Sequence, residues 1–313
     1  MKQKIPIIAI VGPTGVGKTD LSLKIARRFD AEIISADSMQ VYRGMDIGTA
    51  KPTEAERGGI PHHLIDVVNP DEPFSVARYV ELAEAAIADI RSRGKIPMLV
   101  GGTGLYVESL LYHADFEESG HDTAIRDELT AYVEHHGAEA LHAMLAEVDP
   151  ESAATIHPNN IRRVVRAMEH YRTTGIPISA HNAQTKQKES PYRFALICLT
   201  REREELYARI DRRVDIMLAD GLLDEVASLL QQGYSRQSTA MQGIGYKEIA
   251  DYFRGKSTYH ECVSVLKRGT RRYAKRQLTW WRRNKDVRYL PLCGDADREE
   301  AELVNMIKEE MER

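Results

Sequence analysis

Gly12-Pro13-Thr14-Gly15-Val16-Gly17-Lys18-Thr19 is the stretch on which the fold turns. It fits the phosphate-loop pattern G-x-x-x-x-G-K-[ST]. Its surroundings fit too: the apolar run Ile5–Val11 precedes it and the helical pattern Lys18–Phe29 follows. An uninterrupted apolar run is what a strand covered on both faces requires. The glycines let backbone N–H groups turn inward around phosphate oxygens, and the helix start adds its dipole. In such a loop Lys18 reaches the terminal phosphate and Thr19 ligates Mg²⁺. The pattern leaves the phosphate compound open: ATP is the default, a non-nucleotide diphosphate the alternative.

Outward from the loop, strand and helix patterns alternate. Ala31–Ala36 reads as a second strand, Phe74–Arg93 as an amphipathic helix that Ser75 can cap, and Ile96–Val100 as a third strand. Such alternation predicts a parallel α/β sheet. Ligands of open α/β sheets lie beyond the carboxyl ends of the strands. Asp37 follows the second strand there, and three roles are open to it: a general base, a magnesium partner, or a helix cap. Gly101-Gly102-Thr103 follows the third strand. The glycines admit a ligand close to the backbone, and Thr103 offers either a hydroxyl to that ligand or a helix cap.

From about Asp115 to Pro191 the pattern is helical, with segments ending at Gly137, Glu147 and Thr174, a cap at Asp122, and a polar loop over His181–Ser190. Arg193–Thr200 restores a strand, and helices follow over Glu202–Asp220, Leu222–Gln232, Ile244–Phe253, Thr258–Arg283 and Arg298–Met311. The expected architecture is α/β: a phosphate-loop parallel sheet flanked by helices, with an all-helical insertion domain and a helical C-terminal part. The boundaries are 1–114 for the first part of the core, 115–191 for the insertion, and 192–313 for the continuation.

Composition excludes several classes. Apolar residues make up 42% of the 313 and charged residues 29%, as in a soluble globular protein. No apolar run is long enough for a membrane span, and the start of the chain reads as a buried strand, not a signal peptide. Cys198, Cys262 and Cys293 are too scattered for a disulfide framework or a zinc site. A cytoplasmic location is expected. Net charge is −4, yet Cys262–Arg288 holds ten Lys or Arg and a single acid, Asp286. That asymmetry points to a polyanionic partner. Lys267-Arg268, Arg271-Arg272, Lys275-Arg276 and Arg282-Arg283 recur at helical spacing with Tyr273, Trp280 and Trp281 between them. Bases in that setting can contact phosphates and aromatics can stack on nucleobases; the alternative is that Tyr273 and one Trp are core and the arginines a solvated face. Arg162, Arg163 and Arg166 form a second basic face, and Arg209, Arg212 and Arg213 a third that can reach back to the phosphate loop. Gln242-Gly243-Ile244-Gly245-Tyr246-Lys247 is either a plain turn or a backbone surface open to a nucleotide.

Taken together these stretches resemble the tRNA dimethylallyltransferase (tRNA isopentenyltransferase) family over nearly the whole chain. The resemblance rests on GPTGVGKT at Gly12–Thr19, ISADSMQVYRGMDIGTAKP at Ile34–Pro52, PHHLID at Pro61–Asp66 and VGGTGLY at Val100–Tyr106. It continues through HPNNIRRVVRAME at His157–Glu169, GIGYKE at Gly243–Glu248 and RRYAKRQLTW at Arg271–Trp280. With neither the length nor the cysteines for a C-terminal zinc finger, the chain is similar to the bacterial type. Trp281 departs from the pattern, where another hydrophobe is expected.

The resemblance implies transfer of a dimethylallyl group from dimethylallyl diphosphate to N6 of the adenosine 3′ of the anticodon. It implies Asp37, Thr103 and Arg213 as the catalytic set. Gly12, Pro13, Thr14, Gly15, Val16, Gly17, Lys18 and Thr19 would hold the diphosphate, with Mg²⁺ on Thr19. Contacts to the tRNA anticodon stem-loop would come from Asp37, Ser38, Met39, Gln40, Thr103, Arg126, Arg162, Arg163, Arg166, Gln242, Gly243, Gly245, Tyr246, Lys247, Arg271, Arg272, Lys275, Arg276 and Gln277. The insertion would grip tRNA, and the protein would act as a monomer. The rivals are an adenylate isopentenyltransferase, a phosphate-loop kinase, and a nucleotide-gated RNA-binding protein without catalysis.

Overall fold

The computed structural model describes residues 4–112, 123–186 and 189–312. In chain order the elements are β1 (Ile5–Val11), α1 (Lys18–Arg28), β2 (Ala31–Ala36), α2 (Glu54–Arg57), β3 (His62–His63), α3 (Val76–Ser92), β4 (Ile96–Gly101) and α4 (Gly104–Leu111). Then come α5 (Thr123–His136), α6 (Ala138–Val148), α7 (Pro150–Thr155), α8 (Ile161–Thr174) and α9 (Ile178–Lys186). The chain continues through β5 (Tyr192–Thr200), α10 (Arg203–Ala219), α11 (Leu222–Gln231), α12 (Tyr246–Phe253), α13 (Tyr259–Trp281), β6 (Arg288–Pro291) and α14 (Ala296–Glu312). It divides into two compact units, Met1–Leu111 with Pro191–Arg313, and Tyr112–Ser190.

In the first unit all six strands are parallel, in the order β3-β2-β4-β1-β5-β6. β1 is central, and Ile7 through Val11 are fully buried, as their unbroken apolar sequence requires. Register fixes the site. Val11 lies opposite Gly101, and Gly101 opposite Ala36. The loops after β1, β2 and β4 therefore emerge side by side along one sheet edge. Glu32 is the one acid in β2, and it is 2% exposed. Arg93 at 2.7 Å and His63 at 2.8 Å answer its carboxylate, so the charge is buried but paired. A second apolar cluster joins α10 to α13 through Val214, Leu222, Val226, Tyr246, Ile249 and Leu266.

The second unit has a core of Leu129, Leu141, Leu145, Val164, Val165 and Met168. Asp149, 2% exposed, caps α7 through Ser152 N at 3.0 Å and accepts from Ser179 N at 3.0 Å and Ser179 Oγ at 2.6 Å. That carboxylate explains a departure from expectation. It holds the start of α9, so residues 181–186, expected as loop, continue a helix despite their polar sequence. The expected cap at Asp122 lies outside the described residues.

Other departures involve short elements. β3 has two residues and β6 four, below the length at which alternation registers. β6 exists because Ile197–Thr200 of β5 offer it a ladder. The expected helix from Ile244 begins instead at Tyr246, because Gly245 has φ 98°. Trp281 is fully buried, so the departure noted in sequence is a core side chain, while Trp280 packs over Gly104. Among the described residues no helix is long and apolar enough to cross a membrane.

Candidate functional site

Three loops meet at the sheet edge. In the first, Gly15 has φ 80°, a conformation side-chain-bearing residues avoid. Lys18 Nζ folds back over the loop and donates to Gly12 O and Pro13 O, both at 2.9 Å. Arg209 holds Gly15 O at 3.0 Å and Arg201 holds Val16 O at 3.3 Å. Burial, helped by the nearby Arg213 cation and opposed by Asp37, pulls the Lys18 ammonium down to about 8. Burial likewise lowers Arg213, while Asp37 supports its charge. Thr19 is exposed on the first turn of α1.

Asp37 caps no helix. Its Oδ1 accepts from Met39 N at 2.9 Å in a local turn, and the chain stays non-helical until α2. Thr103 precedes α4, but its Oγ1 accepts from Ser38 N at 3.0 Å, across loops, and not from its own helix. The loops after β2 and β4 are thereby tied to each other at the sheet edge. The Tyr273 hydroxyl lies beside Thr103 and Gln277; burial, with the charge of Asp37, pushes it up to about 12.

Two cavities adjoin this junction. The larger, about 860 Å³, is lined by the phosphate loop, Lys18, Thr19, Asp37 and the arginines of α10. The smaller, about 320 Å³, has an apolar wall that includes Val214, Met217, Leu222, Ile244 and Tyr273. Thr14, Asp37, Thr49, Ala50 and Arg213 line both. A carboxylate and a guanidinium thus stand where the two cavities adjoin.

Part of the wall of both cavities is the 46–51 segment, which in sequence counted only as part of the Ile34–Pro52 stretch that carries the resemblance, with no role assigned to its residues. Glu225 of α11 accepts from Asp46 N at 2.9 Å, Ile47 N at 2.7 Å and Gly48 N at 3.0 Å, and from the Tyr246 hydroxyl at 2.6 Å. Lys51 Nζ is buried against Tyr42 O, Asp46 and Asp66. Glu225 reads in sequence as one more acid on an amphipathic helix, and nothing local distinguishes it.

The residues expected on tRNA separate into groups. Gln40, Tyr246 and Gln277 turn away from the outer surface and line the cavities. Gln40 sits between Ser35 and the carbonyls of Thr49 and Ala50, Tyr246 binds Glu225, and Gln277 bridges Thr14 N and Gly102 O. Met39 packs on Gly243. Arg271 is committed to Asp211, and Arg126 to Glu169 at 2.9 Å. On α13 the side chains of Arg272, Lys275 and Arg276 are exposed, and among the described residues no carboxylate pairs with them. The same holds for Arg162, Arg163 and Arg166 on α8. Gln242 is exposed and Lys247 lies 3.6 Å from Glu248.

With this geometry in view, the comparisons are specific. The "IPP transferase" family model matches residues 40–284 and the "Isopentenyl transferase" model residues 5–66. A tRNA dimethylallyltransferase of Roseiflexus castenholzii is 54% identical over 287 residues, covering 92% of this chain and 93% of that one. The crystal structure of a tRNA isopentenylpyrophosphate transferase from Bacillus halodurans is 46% identical, with TM-score 0.73 and 99% of each chain covered. A eukaryotic dimethylallyltransferase captured acting on tRNA is 32% identical with TM-score 0.85, covering 98% of this chain and 79% of that one. A parallel sheet whose edge loops converge on two joined cavities, matched along most of the chain, places this protein in the IPP transferase family.

Proposed function

We propose that this protein transfers the dimethylallyl group of dimethylallyl diphosphate to N6 of the adenosine 3′ of the anticodon in tRNA. The observation that carries the reading is the junction of the cavities, with Asp37 and Arg213 on both. The diphosphate fits the cationic chamber of the Gly12–Thr19 loop, Lys18 and Arg213. A flat base fits the smaller, apolar-walled chamber beside Gly243, Gly245 and Tyr273. Reaching it requires the adenosine to leave its stack, at about a few kcal/mol, which phosphate and stacking contacts offset.

An exocyclic adenine amine is a weak nucleophile, because its lone pair is delocalised into the ring. As that lone pair forms the bond to the allylic carbon, the bond from that carbon to the diphosphate oxygen breaks. The amine proton passes to Asp37, whose Oδ2 makes no hydrogen bond among the described residues. Lys18, Arg213 and the loop N–H groups stabilise the departing diphosphate. Thr103, fixed by Ser38 N, orients the amine. The exposed Thr19 hydroxyl suits a hard cation such as Mg²⁺, which supplies charge neutralisation to the diphosphate when bound. Arg162, Arg163, Arg166, Gln242, Lys247, Arg272, Lys275 and Arg276 bind the RNA backbone.

The test is incubation with labelled dimethylallyl diphosphate, Mg²⁺ and either unmodified tRNA or AMP. Label is expected in tRNA. Label in AMP alone, or in neither, overturns the reading.

A further inference from the structure

Gln277 lies in the middle of the basic stretch of α13, and sequence places it with the RNA contacts. Its surroundings say otherwise. It is 6% exposed. Its Oε1 accepts from Thr14 N of the phosphate loop at 2.9 Å, and its Nε2 donates to Gly102 O at 3.0 Å. Each end of the amide is therefore tied to one of two loops that leave neighbouring strands, and the Tyr273 side chain bonds to it as well. The fit is tight from the other side as well, since a Cβ on Gly102 would lie 2.0 Å from Gln277 Nε2. One turn earlier, Tyr273 brings its hydroxyl beside Thr103, which in turn holds Ser38 N next to Asp37. One face of α13 thus fastens the phosphate loop, the Gly102-Thr103 loop and the Asp37 loop. Another face of the same helix carries Arg272, Lys275 and Arg276, all exposed.

We infer that Gln277 is a positioning residue, whose amide locks the phosphate loop to the Gly102-Thr103 loop and so sets the donor cradle against the acceptor side of the site. It makes no essential contact to RNA. The inference rests on the proposed transferase activity for its kinetic arm only. A primary amide accepts through its oxygen and donates through its nitrogen in one plane, as the two loops require. Glutamate has the same volume and can still accept from Thr14 N, but when ionised it opposes Gly102 O and carries its charge toward the loop.

The test compares Gln277→Ala, Gln277→Glu and the neighbouring Lys275→Ala in the full-length protein, with far-UV circular dichroism and melting temperature as folding controls. Calorimetric titration with inorganic pyrophosphate and Mg²⁺ reads the cradle, filter binding reads tRNA, and hydrogen exchange reads the peptide containing Thr14. Both Gln277 variants are expected to weaken pyrophosphate binding about tenfold or more, and Gln277→Ala to speed exchange around Thr14, with tRNA affinity changed less than about twofold. Lys275→Ala is expected to do the reverse. In turnover, loss of Gln277 lowers kcat and raises KM for the allylic diphosphate but not for tRNA. Gln277→Glu behaving as wild type would reduce the residue to space-filling and overturn the inference. So would unchanged exchange at Thr14 in Gln277→Ala, or a loss of tRNA affinity with pyrophosphate binding intact. If the wild-type protein binds no pyrophosphate and prenylates nothing, the functional reading fails, while the exchange measurement still decides the role of Gln277.

Discussion

The sheet edge and the outer faces of α13 and α8 are both rich in charge, and they hold it in opposite ways. At the edge, Lys18, Arg209 and Arg201 are each bound to a loop carbonyl, and the Asp37 carboxylate is anchored by one oxygen. On the outer faces Arg272, Lys275, Arg162 and Arg166 are exposed, while the exposed Arg276 also lies over the Tyr273 ring at the rim of the smaller cavity. Held charge is already oriented, so it acts on a transition state. Free charge acts through counterion release on whatever polyanion arrives. The two regions should therefore fail differently when altered.

Asp37→Ala tests the edge most severely. It should lower kcat by about 10²–10⁴ while leaving tRNA affinity nearly unchanged, read by single-turnover prenylation and filter binding. A near-normal rate would remove Asp37 from the role of base. The pH response of Lys18 comes next. Its pKa lies near 8 in place of 10.5, so it loses charge as pH rises through 8. Pyrophosphate affinity of the free protein should fall over that range relative to Lys18→Met, which lacks the titrating group. Parallel profiles would separate Lys18 from the diphosphate. On the outer face, replacing Lys275 and Arg276 together by Ala should weaken tRNA binding and reduce the slope of log K against log salt by about 1–2. An unchanged slope would make those bases structural. The smallest effect on activity should come from Asp149→Ala, which strips the cap of α7 and the tie to α9. It should destabilise the 112–190 unit by about 2–3 kcal/mol, seen as faster hydrogen exchange there with pyrophosphate binding intact.

Much of this contrast was legible in the sequence at the edge and little of it on the helices. β1 announces itself because a strand buried on both faces is written as an unbroken apolar run, β2 and β4 show as short apolar stretches despite Glu32, Ser35 and Pro97, and the loops after them carry their own chemistry. The parallel sheet and its flanking helices follow from that alternation. β3 and β6 were hidden because a two- or four-residue edge strand is defined by its neighbour's ladder, not by its own residues. α9 was hidden because its stability comes from Asp149, far back in the chain. Charge was the most misleading signal. Counting bases over 262–288 treats Lys267 and Arg271 like Lys275, yet Asp215 and Asp211 of α10 neutralise the first two. The face on which Gln277 falls is set by how α13 docks, which no local pattern records.

The grip of Glu225 on the 46–48 backbone has a chemical consequence of its own. Consecutive N–H groups converging on one point form an anion receptor, and here the protein fills that receptor with its own side chain. In Glu225→Ala the receptor is left open in the wall of both cavities, beside the Tyr246 hydroxyl. Formate or acetate from the buffer is the right size and charge to occupy it. The segment that walls both cavities can in this way be put under the control of a small solute, its order restored by titration and withdrawn by dialysis.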